Sequence, residues 1–538
     1  MKEDNMAHGK SAAAVVAAAL ALALALAQPA LAQKSGGILR TYSSTNPPSA
    51  SVIEEVTIGT IFPFSSVFNN LVFFDQTKPL TTFDTIVPEL AESWAWDATR
   101  TKLTFKLRQG VKWHDGKPFT SKDVQCTWNR LLGKDPDKFR KNPRKEWWNN
   151  IKEIAINGDF EATFVLAQPQ PSFLVLLAAA FSPVYPCHVP TATQRTKPIG
   201  TGPFKFVSFE SNYMVKLAKN KEYWRSGRPY LDGVEIRIMA NRATRILGFA
   251  AKEFDLTFVA DVTSPLIADV KARTPEAICK VVLVGTSTNL LVNREQPPFD
   301  NAKLRRAMTL ALDRKAMVDI LTLGTARIGG AMLPPPQGVW GMSQEMTDAL
   351  PSYGGDMATR QAEARKIMES LGYGPNKRLK IKVATRDFQA YKDPAVLLLD
   401  QLNKIYFDAE LDIIETSVWY GRITRGAYSV ALNQTGSGVD DPDVTLAENY
   451  SCKSERNYTK YCNPTVDKLL DEQSQEADVT KRKKIVWQIE NILAEDAARP
   501  IIQHNTGGTC WQPYLKGHVL SENSIYNNWR LEGVWLDK

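Results

Sequence analysis

Three carboxylates stand close together in the stretch LNQTGSGVDDPDVTL, residues 432–446, and their spacing could do chemistry. Asp440, Asp441 and Asp443 could pair with a cationic group of a bound molecule, because a buried charge without a partner is costly. The same residue types are equally typical of turns and helix N-caps, here ahead of residues 444–449. Both interpretations stay open, and Asp440 is the carboxylate that we single out as a binding candidate.

Familiar catalytic motifs are missing from the sequence. It contains no HExxH, no P-loop, no GxSxG elbow and no dinucleotide-binding GxGxxG. Gly508-Thr509-Cys510-Trp511 faintly resembles a cysteine-protease nucleophile segment, but the chain ends at Lys538, before the His and Asn that such a site needs at long spacing. We therefore predict a protein that is not an enzyme, with a secreted hydrolase as the alternative.

The histidines do not indicate a metal site. Beyond residue 32 the chain has His114, His188, His504 and His518, and none stands at metal-ligand spacing from another. We expect no directly bound metal ion and no other cofactor. A metal carried by an organic chelator would need few protein ligands, so such a solute stays open.

The six cysteines would suit an oxidising compartment. Cys452 and Cys462 are close in sequence and separated by a polar loop, so a disulfide between them is the preferred pairing. Pairing among the other four cannot be deduced from the sequence. Free buried thiols are an equally good interpretation for Cys126 and Cys279, which lie in apolar or helical runs.

The N-terminus has the composition of a secretory signal peptide. A basic start precedes an Ala/Leu/Val run at residues 12–27, and Ala30-Leu31-Ala32 places small residues before a cut ahead of Gln33. An uncleaved membrane anchor is the alternative, but the run is shorter than the ~20 residues of a spanning helix. No Cys lies near the cut. We therefore expect residues 1–32 to be removed and the mature protein to be periplasmic or extracellular, without a lipid anchor.

Composition and charge exclude few classes of protein but make nucleic acid an improbable partner. The 538 residues carry a formal net charge of +8, and 43% of them are hydrophobic, which is ordinary for a soluble chain with more than one core. A basic run at residues 481–484 lies beside Ile485, Val486 and Ile489 at helical spacing. This pattern favours a solvated helix face over a nucleic-acid surface.

Strands and helices alternate in the C-terminal half, and they must position the carboxylates at residues 440–443. The sequence predicts helices at residues 300–323, 357–371, 464–475 and 479–496, a further helix opening at Pro394, and strands at residues 379–385 and 409–415. Such β-α-β alternation implies a mostly parallel sheet with covering helices, over about residues 288–499.

Residues 88–130 form the most informative stretch of the chain. Leu103, Phe105 and Leu107 alternate with polar residues, as in a strand with one buried face, and the following His-Asp-Gly-Lys-Pro sequence is typical of a turn. Thr120 and Asp123 have capping-box spacing, which predicts a helix over about residues 121–132.

These motifs, in this order, resemble a known family. The run at residues 88–124 is similar to a signature of the extracytoplasmic solute-binding proteins of ABC importers, specifically family 5, which includes oligopeptide, dipeptide and nickel-chelate binders. Residues 199–204 with 220–230, and residues 298–301 leading into LRRAMTLALDRKAMVDILTLG, resemble two further motifs of that family. The resemblance covers nearly the whole chain after residue 32.

The resemblance implies an α/β fold of two lobes joined by a hinge, the class C, type II-like fold of periplasmic binding proteins. The second lobe would consist of residues 287–500. The first lobe would be discontinuous, with residues 64–184 as an inserted subdomain between its pieces at residues 33–63, 185–286 and 501–538. Crossings near residues 285–289 and 500–506 would let hinge bending close the cleft on a ligand.

The resemblance also implies a ligand site in the cleft between the lobes, where peptide-binding members hold the ligand backbone as an added strand. Tyr420 or Trp419 would present an aromatic ring to the cleft, unless Trp419 packs in the core. Thr435 and Gly436 would offer backbone groups. From the first lobe, the loop that contains Thr45 and Asn46 would face the cleft.

One position departs from the family pattern. Family members commonly use an Asp ahead of an Asp-Pro step to bind the ammonium group of a peptide. Counting back from Asp441-Pro442, the matching position is Gly438. Asp440 is a candidate replacement two residues away, and the departure makes a modified peptide or a non-peptide solute more plausible.

The expected function follows from the family. We expect a monomeric receptor that captures a small peptide or peptide-like solute and delivers it to the permease of an ABC importer. An opine, an oligosaccharide or a metal chelate is the alternative solute.

Overall fold

A computed structural model describes residues 33–538, so the predicted signal peptide lies outside the described residues. Within residues 33–538 no helix is long and apolar enough to cross a membrane. The strands, in chain order, are β1 (Ile38–Ser43), β2 (Val72–Phe74), β3 (Ile86–Pro88), β4 (Ala91–Trp96), β5 (Lys102–Leu107), β6 (Ile151–Ile156), β7 (Glu161–Leu166), β8 (Phe204–Glu210), β9 (Met214–Lys219), β10 (Gly233–Ile238), β11 (Ile278–Val292), β12 (Leu379–Arg386), β13 (Phe407–Ile414), β14 (Val430–Gly436), β15 (Ile501–Trp511), β16 (Leu515–Lys516) and β17 (Trp535–Leu536).

The α-helices are most frequent in the C-terminal half. They span Ile58–Phe64, Ser121–Leu131, Phe173–Ala178, Thr191–Gln194, Arg242–Ala250, Ser264–Arg273, Ala302–Leu310, Arg314–Thr322, Gln344–Asp348, Met357–Ser370, Gln389–Asn403, Thr416–Thr424, Pro442–Tyr450, Pro464–Gln475 and Val479–Glu495.

The first lobe is built on two four-stranded sheets. In the sheet of order β1-β10-β9-β8, β1 and β10 are parallel and the other pairs are antiparallel. The sheet of order β4-β5-β7-β6 is antiparallel throughout and belongs to the predicted insert. One apolar core contains Tyr42 and Leu217 of the first sheet together with Phe105 of the second. The insert therefore packs on the first lobe.

The second lobe is built on a five-stranded sheet of order β13-β12-β14-β11-β15. β12 is parallel to both β13 and β14, whereas β14, β11 and β15 pair antiparallel. The prediction of a mostly parallel sheet is therefore wrong. It failed because β11 and β15 enter directly from the other lobe, without the covering helix that would make them parallel neighbours.

β11 and β15 form a two-stranded link between the lobes. Their pairing runs from Ile278 opposite Trp511 to Asn289 opposite Ile501, and its register shifts between Leu283 and Ser287. Before the shift β15 bridges to Leu256 and Val262 of the first lobe, and after it β11 pairs with β14. The link lies at the predicted crossings, residues 285–289 and 500–506. The exact limits of the lobes stay predictions.

Gly285 stands at this register shift. Its φ is +61°, and a Cβ there would lie 2.1 Å from the backbone oxygen of Asn523. Both the backbone conformation and the close approach therefore require glycine.

Several local predictions are confirmed. Thr120 and Asp123 form a capping box at the start of Ser121–Leu131. The helix Met357–Ser370 begins after Asp356, whose side chain accepts from the Thr359 amide, and Gly372 follows its end with a φ of +83°. These are helix ends at which side-chain chemistry acts locally.

Two predicted helices differ from the structure. Residues 300–323 form two helices, because the Asp313 side chain accepts from the Ala316 amide and starts the second one at Arg314. Pro394 does not open a helix but lies inside Gln389–Asn403. A proline there leaves the carbonyl four residues earlier without its helical donor. The Gln434 side chain supplies one, donating to the Ala390 oxygen at 2.8 Å.

All six cysteines are paired in the structure. Cys452 bonds to Cys462, Cys126 to Cys187 and Cys279 to Cys510. The free-thiol interpretation of Cys126 and Cys279 therefore does not describe this structure. The Cys279–Cys510 disulfide joins β11 to β15 on the first-lobe side of the register shift.

Candidate functional site

A cavity lies between the two lobes. Thr45, Ile58 and Phe258 line it from the first lobe, and Arg386 and Tyr420 line it from the second. The linking strands β11 and β15 also line it, and the C-terminal tail of the first lobe adds Ile525 and Tyr526.

Polar side chains of the linking strands form a network along the cavity. The Asn505 side-chain oxygen accepts from the Thr288 hydroxyl at 2.8 Å and from Gln503 Nε2 at 3.1 Å, and Asn505 Nδ2 donates to the Thr286 hydroxyl at 3.1 Å. Gln503 is only 3% exposed, and within residues 33–538 its Oε1 has no described hydrogen-bond partner. A buried acceptor without a donor is costly, so this atom is available to a ligand.

Arg386 ends β12 and brings a buried cation to the same cavity. It is 6% exposed and donates to the Tyr391 hydroxyl at 2.9 Å and to Thr416 Oγ1 at 3.4 Å, while its Nε has no partner among the described residues. Its guanidinium lies 4.7 Å from the Tyr391 ring and 5.7 Å from the Tyr420 ring. Within the described residues no carboxylate pairs with it, so the cation is open to an anionic group of a ligand.

Asp393 is the carboxylate among the described residues that line this cavity. It is half-buried and accepts from the Gln389 side chain, one turn earlier on the same helix. The cavity therefore contains one carboxylate that no cation neutralises within the described chain.

Three of the predicted site residues line the cavity, namely Thr45, Tyr420 and Gly436. At Gly436 a Cβ would lie 2.2 Å from the Tyr526 hydroxyl oxygen, so a side chain there would displace that ring. Thr435 faces a smaller adjoining cavity, where its hydroxyl accepts from Asn289 at 3.1 Å and from Arg499.

Other predicted site residues lie elsewhere. Trp419 is fully buried in an apolar cluster with Ile414 and Ile423. Core packing was the alternative to a cleft position for this residue. Asn46 does not line the cavity. Its Nδ2 donates instead to Asn212 Oδ1 at 2.6 Å, and its Oδ1 accepts from the Asn212 amide at 2.7 Å.

Gly438 is buried against aromatic rings of the insert. A Cβ at this position would lie 3.2 Å from Trp147 and 3.4 Å from Phe181. Its carbonyl accepts from the Ser524 hydroxyl at 3.0 Å and from Asn527 Nδ2 at 3.2 Å. The structure therefore has a tightly packed glycine, without a carboxylate, at the position that we predicted to match the family's ammonium-binding Asp.

Asp440 faces away from the main cavity. Its Oδ2 accepts from the Val339 amide at 2.6 Å, and its backbone oxygen accepts from Trp340 Nε1 at 3.0 Å. Burial of the carboxyl group raises its pKa to about 7. Asp440 borders only the smaller adjoining cavity and holds the loop at residues 339–340.

The turn and cap interpretation describes the other two aspartates. Asp441 caps Pro442–Tyr450 by accepting from the Asp443 amide at 2.9 Å, and its two oxygens receive Arg482 at 2.8 and 3.0 Å. Asp443 accepts from Gln170 of the insert at 3.2 Å and from Ser474 at 2.9 Å. The predicted solvated basic run at residues 481–484 thus has one exception, since Arg482 is buried.

Sequence reasoning missed Arg386, Gln503 and Tyr526. A signal existed for Arg386, because it ends a strand that was predicted to be parallel, and ligands of open α/β sheets bind at the carboxyl ends of strands. Gln503 lies in a segment predicted only as a crossing, and nothing local distinguishes Tyr526 in the tail.

Comparison with known proteins identifies the family. Residues 85–457 match the family described as bacterial extracellular solute-binding proteins, family 5 Middle. The chain belongs to this family. The resemblance carried by residues 88–124 is thereby confirmed.

Relatives and solved structures of this family 5 chain match it over most of its length. A probable di/tripeptide-binding protein 5 of Pseudomonas aeruginosa (strain UCBPP-PA14) is 26% identical over 534 residues, covering 92% of this chain and 94% of its own. Heme-binding protein A of Haemophilus influenzae is 26% identical over 495 residues, which is 86% of each chain.

Solved structures confirm the two-lobed α/β fold. The periplasmic binding protein DppA from Helicobacter pylori, in complex with peptide STSA, aligns with a TM-score of 0.80 at 22% identity, covering 94% of this chain and 99% of that one. The binding protein AgaA from A. tumefacien R10, in complex with agropinic acid, aligns with a TM-score of 0.81 at 21% identity, covering 93% and 99%.

Proposed function

We propose that this family 5 protein is the periplasmic substrate-binding component of an ABC importer. It captures a small peptide or peptide-like solute in the cavity between its lobes and delivers the solute to the membrane permease. The observation that carries this proposal is that two buried polar atoms of the cavity, Arg386 Nε and Gln503 Oε1, have no hydrogen-bond partner among the described residues and can bind a ligand.

The proposed mechanism is closure of the lobes about the β11–β15 link. The two walls of the cavity belong to different lobes, with Thr45 and Ile58 on one wall and Arg386 and Tyr420 on the other. One ligand can therefore contact both walls only when the lobes are closed. A ligand shifts the open-to-closed equilibrium through contacts that the open state lacks. This role needs no catalytic group, and within residues 33–538 no three metal-binding side chains cluster.

An opine is the second candidate solute. The likeness to the agropinic-acid complex of AgaA favours it, and so does the environment of Gly438, which leaves no carboxylate at the family's ammonium-binding position. We further propose that the protein acts as a monomer in the periplasm after loss of residues 1–32.

Recovery of the bound solute tests the function. The protein is purified from its native periplasm, the solute is identified by native mass spectrometry, and its affinity is then measured by calorimetry. A solute at 100 times its dissociation constant should stabilise the protein by about 2.7 kcal/mol, and small-angle scattering should show a more compact particle. Chemical turnover of that solute by the protein would overturn the receptor assignment.

A pair of tyrosine variants locates the binding site. Tyr420→Ala should weaken binding of the recovered solute about tenfold, because an aromatic wall of the cavity is lost. Tyr213→Ala is the matched control, since Tyr213 is 51% exposed and does not line the cavity. Equal affinities of the two variants would place the site elsewhere.

A further inference from the structure

A segment of the second lobe is packed into the first lobe. We call residues 437–444 the junction segment, which leads from β14 into the helix Pro442–Tyr450. Val439 and Val444 of this segment are fully buried and belong to the same apolar core as Phe105 of the insert. The junction segment does not line the main cavity. It is therefore a contact between the lobes that lies outside the proposed ligand site.

Asp443 of the junction segment accepts hydrogen bonds from both lobes. From the insert, Gln170 Nε2 donates to Asp443 Oδ2 at 3.2 Å, and the Ser172 hydroxyl donates to the same oxygen. From the second lobe, the Ser474 hydroxyl donates to Oδ2 at 2.9 Å, and Gln473 Nε2 donates to Oδ1. Asp443, Gln170 and Ser172 are buried, and hydrogen bonds to a charged acceptor are strong where water is excluded. The two insert residues therefore hold the lobes together through one carboxylate oxygen.

The contact between Asp443 and the insert can break without leaving an unpaired carboxylate. Arg482 Nη2 lies 3.6 Å from Asp443 Oδ1 and belongs to the second lobe, as do Gln473 and Ser474. When the insert moves away, Asp443 keeps this cation and both donors, so the large cost of stranding a buried charge does not arise. Ser172 would exchange the carboxylate for water. Separation therefore costs only the contacts across the junction, as a reversible closure requires.

The junction segment is attached to the link between the lobes at its other end. The Ser437 amide donates to the Gly285 oxygen at 3.0 Å, and Gly285 stands at the register shift of the β11–β15 link. The segment thus begins at the link about which we propose that the lobes close, and it reaches the insert at Asp443. Bending of the link would therefore displace Asp443 relative to Ser172.

Resting on the proposed receptor function, we propose that Ser172 and Gln170 act with Asp443 as a latch between the insert and the second lobe. The latch stabilises the closed protein without contacting the solute, and it maintains a closed population in equilibrium with the open one when no solute is bound. The apparent dissociation constant equals the intrinsic constant divided by the fraction of protein that is competent to bind. These three residues therefore set the affinity through closure, as positioning residues.

Single-molecule fluorescence transfer tests the latch on protein freed of bound solute by reversible unfolding. Dyes are attached through Tyr213→Cys in the first lobe and Val396→Cys in the second, since both positions are exposed. The two transfer populations give the ratio of closed to open molecules. Ser172→Ala should lower this ratio about tenfold, as expected for the loss of one hydrogen bond to a carboxylate. An unchanged ratio, or no detectable closed population in the unaltered protein, would overturn the proposal.

Ser474→Ala is the matched control, because Ser474 donates to the same Asp443 oxygen from within the second lobe. It should lower the free energy of unfolding about as much as Ser172→Ala does, but it should leave the ratio of closed to open molecules within about twofold of the unaltered protein. A ratio that falls equally in both variants would mean that the two serines only hold the Asp443 side chain, and it would overturn the latch.

A second variant keeps the latch testable if Ser172→Ala does not fold. Gln170→Leu removes the other insert donor to Asp443 and should lower the ratio of closed to open molecules about threefold, because its hydrogen bond of 3.2 Å is the longer one. An unchanged ratio in this variant would then overturn the latch while the receptor function stands. Turnover of the recovered solute would instead remove the receptor function and leave the measured ratio unaffected.

Discussion

Two buried arginines of the second lobe, Arg482 and Arg386, differ in what neutralises them. Arg482 meets both oxygens of Asp441 at 2.8 and 3.0 Å, and Gln473 accepts from its Nε at 3.0 Å. Arg386 has a phenol and a threonine hydroxyl as partners and an Nε without one. The protein neutralises the charge of Arg482 with its own carboxylates, whereas within the described residues Arg386 has no carboxylate partner. We propose that this difference separates a structural arginine from one that serves a ligand.

Removing the charge of Arg482, which Asp441 and Asp443 neutralise, should have the largest effect on stability. Arg482→Gln would leave Asp441 and Asp443 buried without their cation, and breaking such a pair costs about 3–5 kcal/mol. Urea unfolding without ligand measures this loss. Arg422→Gln is the control, since its pair with Asp412 is partly exposed and should contribute less than about 1 kcal/mol. Equal losses of unfolding free energy in the two variants would show that the buried pair contributes no more than the partly exposed one.

The buried carboxylate of Glu490, whose described partner at 2.9 Å is a neutral backbone amide, should have an intermediate effect on stability that depends on pH. Glu490 accepts from the Met332 amide at 2.9 Å, its Oε2 has no partner in the described part of the chain, and burial raises its pKa to about 8. The folded state therefore binds more protons than the unfolded state, so stability falls as the pH rises toward 8. Asp440, with its pKa raised to about 7, acts in the same direction.

The useful pH window lies above the histidine range. Burial lowers the pKa of His114, His504 and His518 to about 4, so these groups make the free energy of unfolding rise with pH until about pH 7.5, where their contribution to the slope ends. Between pH 6.5 and 8 the contribution of Glu490 should lower the free energy of unfolding by up to about 2 kcal/mol, which the histidines offset in part below pH 7.5. Glu490→Gln should flatten this slope; an unchanged slope would show that Glu490 does not titrate there.

Removing the charge of Arg386, whose described hydrogen-bond partners are neutral hydroxyls, should have the smallest effect on stability. Arg386→Gln gives up the hydrogen bonds to Tyr391 and Thr416 but also relieves the burial of an unpaired cation, so the net change should stay within about 1 kcal/mol. Urea unfolding of the ligand-free protein measures it. A loss as large as that of Arg482→Gln would make Arg386 a structural residue and would break the comparison.

The sequence predicted the parts of this molecule that depend on local patterns. Capping residues such as Thr120 and Asp356 identified helix starts, and the motif at residues 88–124 identified the family and hence the two-lobed fold. The helix break at Asp313 depends on a local cap, the side chain accepting from the Ala316 amide, and could have been predicted. The internal Pro394 was missed because its accommodation involves a distant partner. Gln434, on a neighbouring strand, donates to the Ala390 carbonyl that Pro394 leaves without its helical donor.

The site was harder to predict for the same reason. Tyr420, Gly436 and Thr45 were placed in the cleft through the family resemblance, and all three line the cavity. Asp440 and Trp419 have suitable chemistry, but their direction depends on which neighbours claim them, the Val339 amide and the apolar cluster around Ile423. Whether a buried charged side chain has an oppositely charged partner depends on the whole fold and cannot be predicted from its neighbours in sequence.

The β11–β15 link has a mechanical consequence. Two strands bonded to each other along their length resist shear, and the Cys279–Cys510 disulfide fixes them together on one side of the register shift. We therefore expect bending to be concentrated at residues 283–287, where the ladder is interrupted, and the lobes to move along a single coordinate. A pair of fluorophores placed on opposite walls of the cleft would thus report occupancy as one distance, which makes this scaffold suitable for a reagentless sensor.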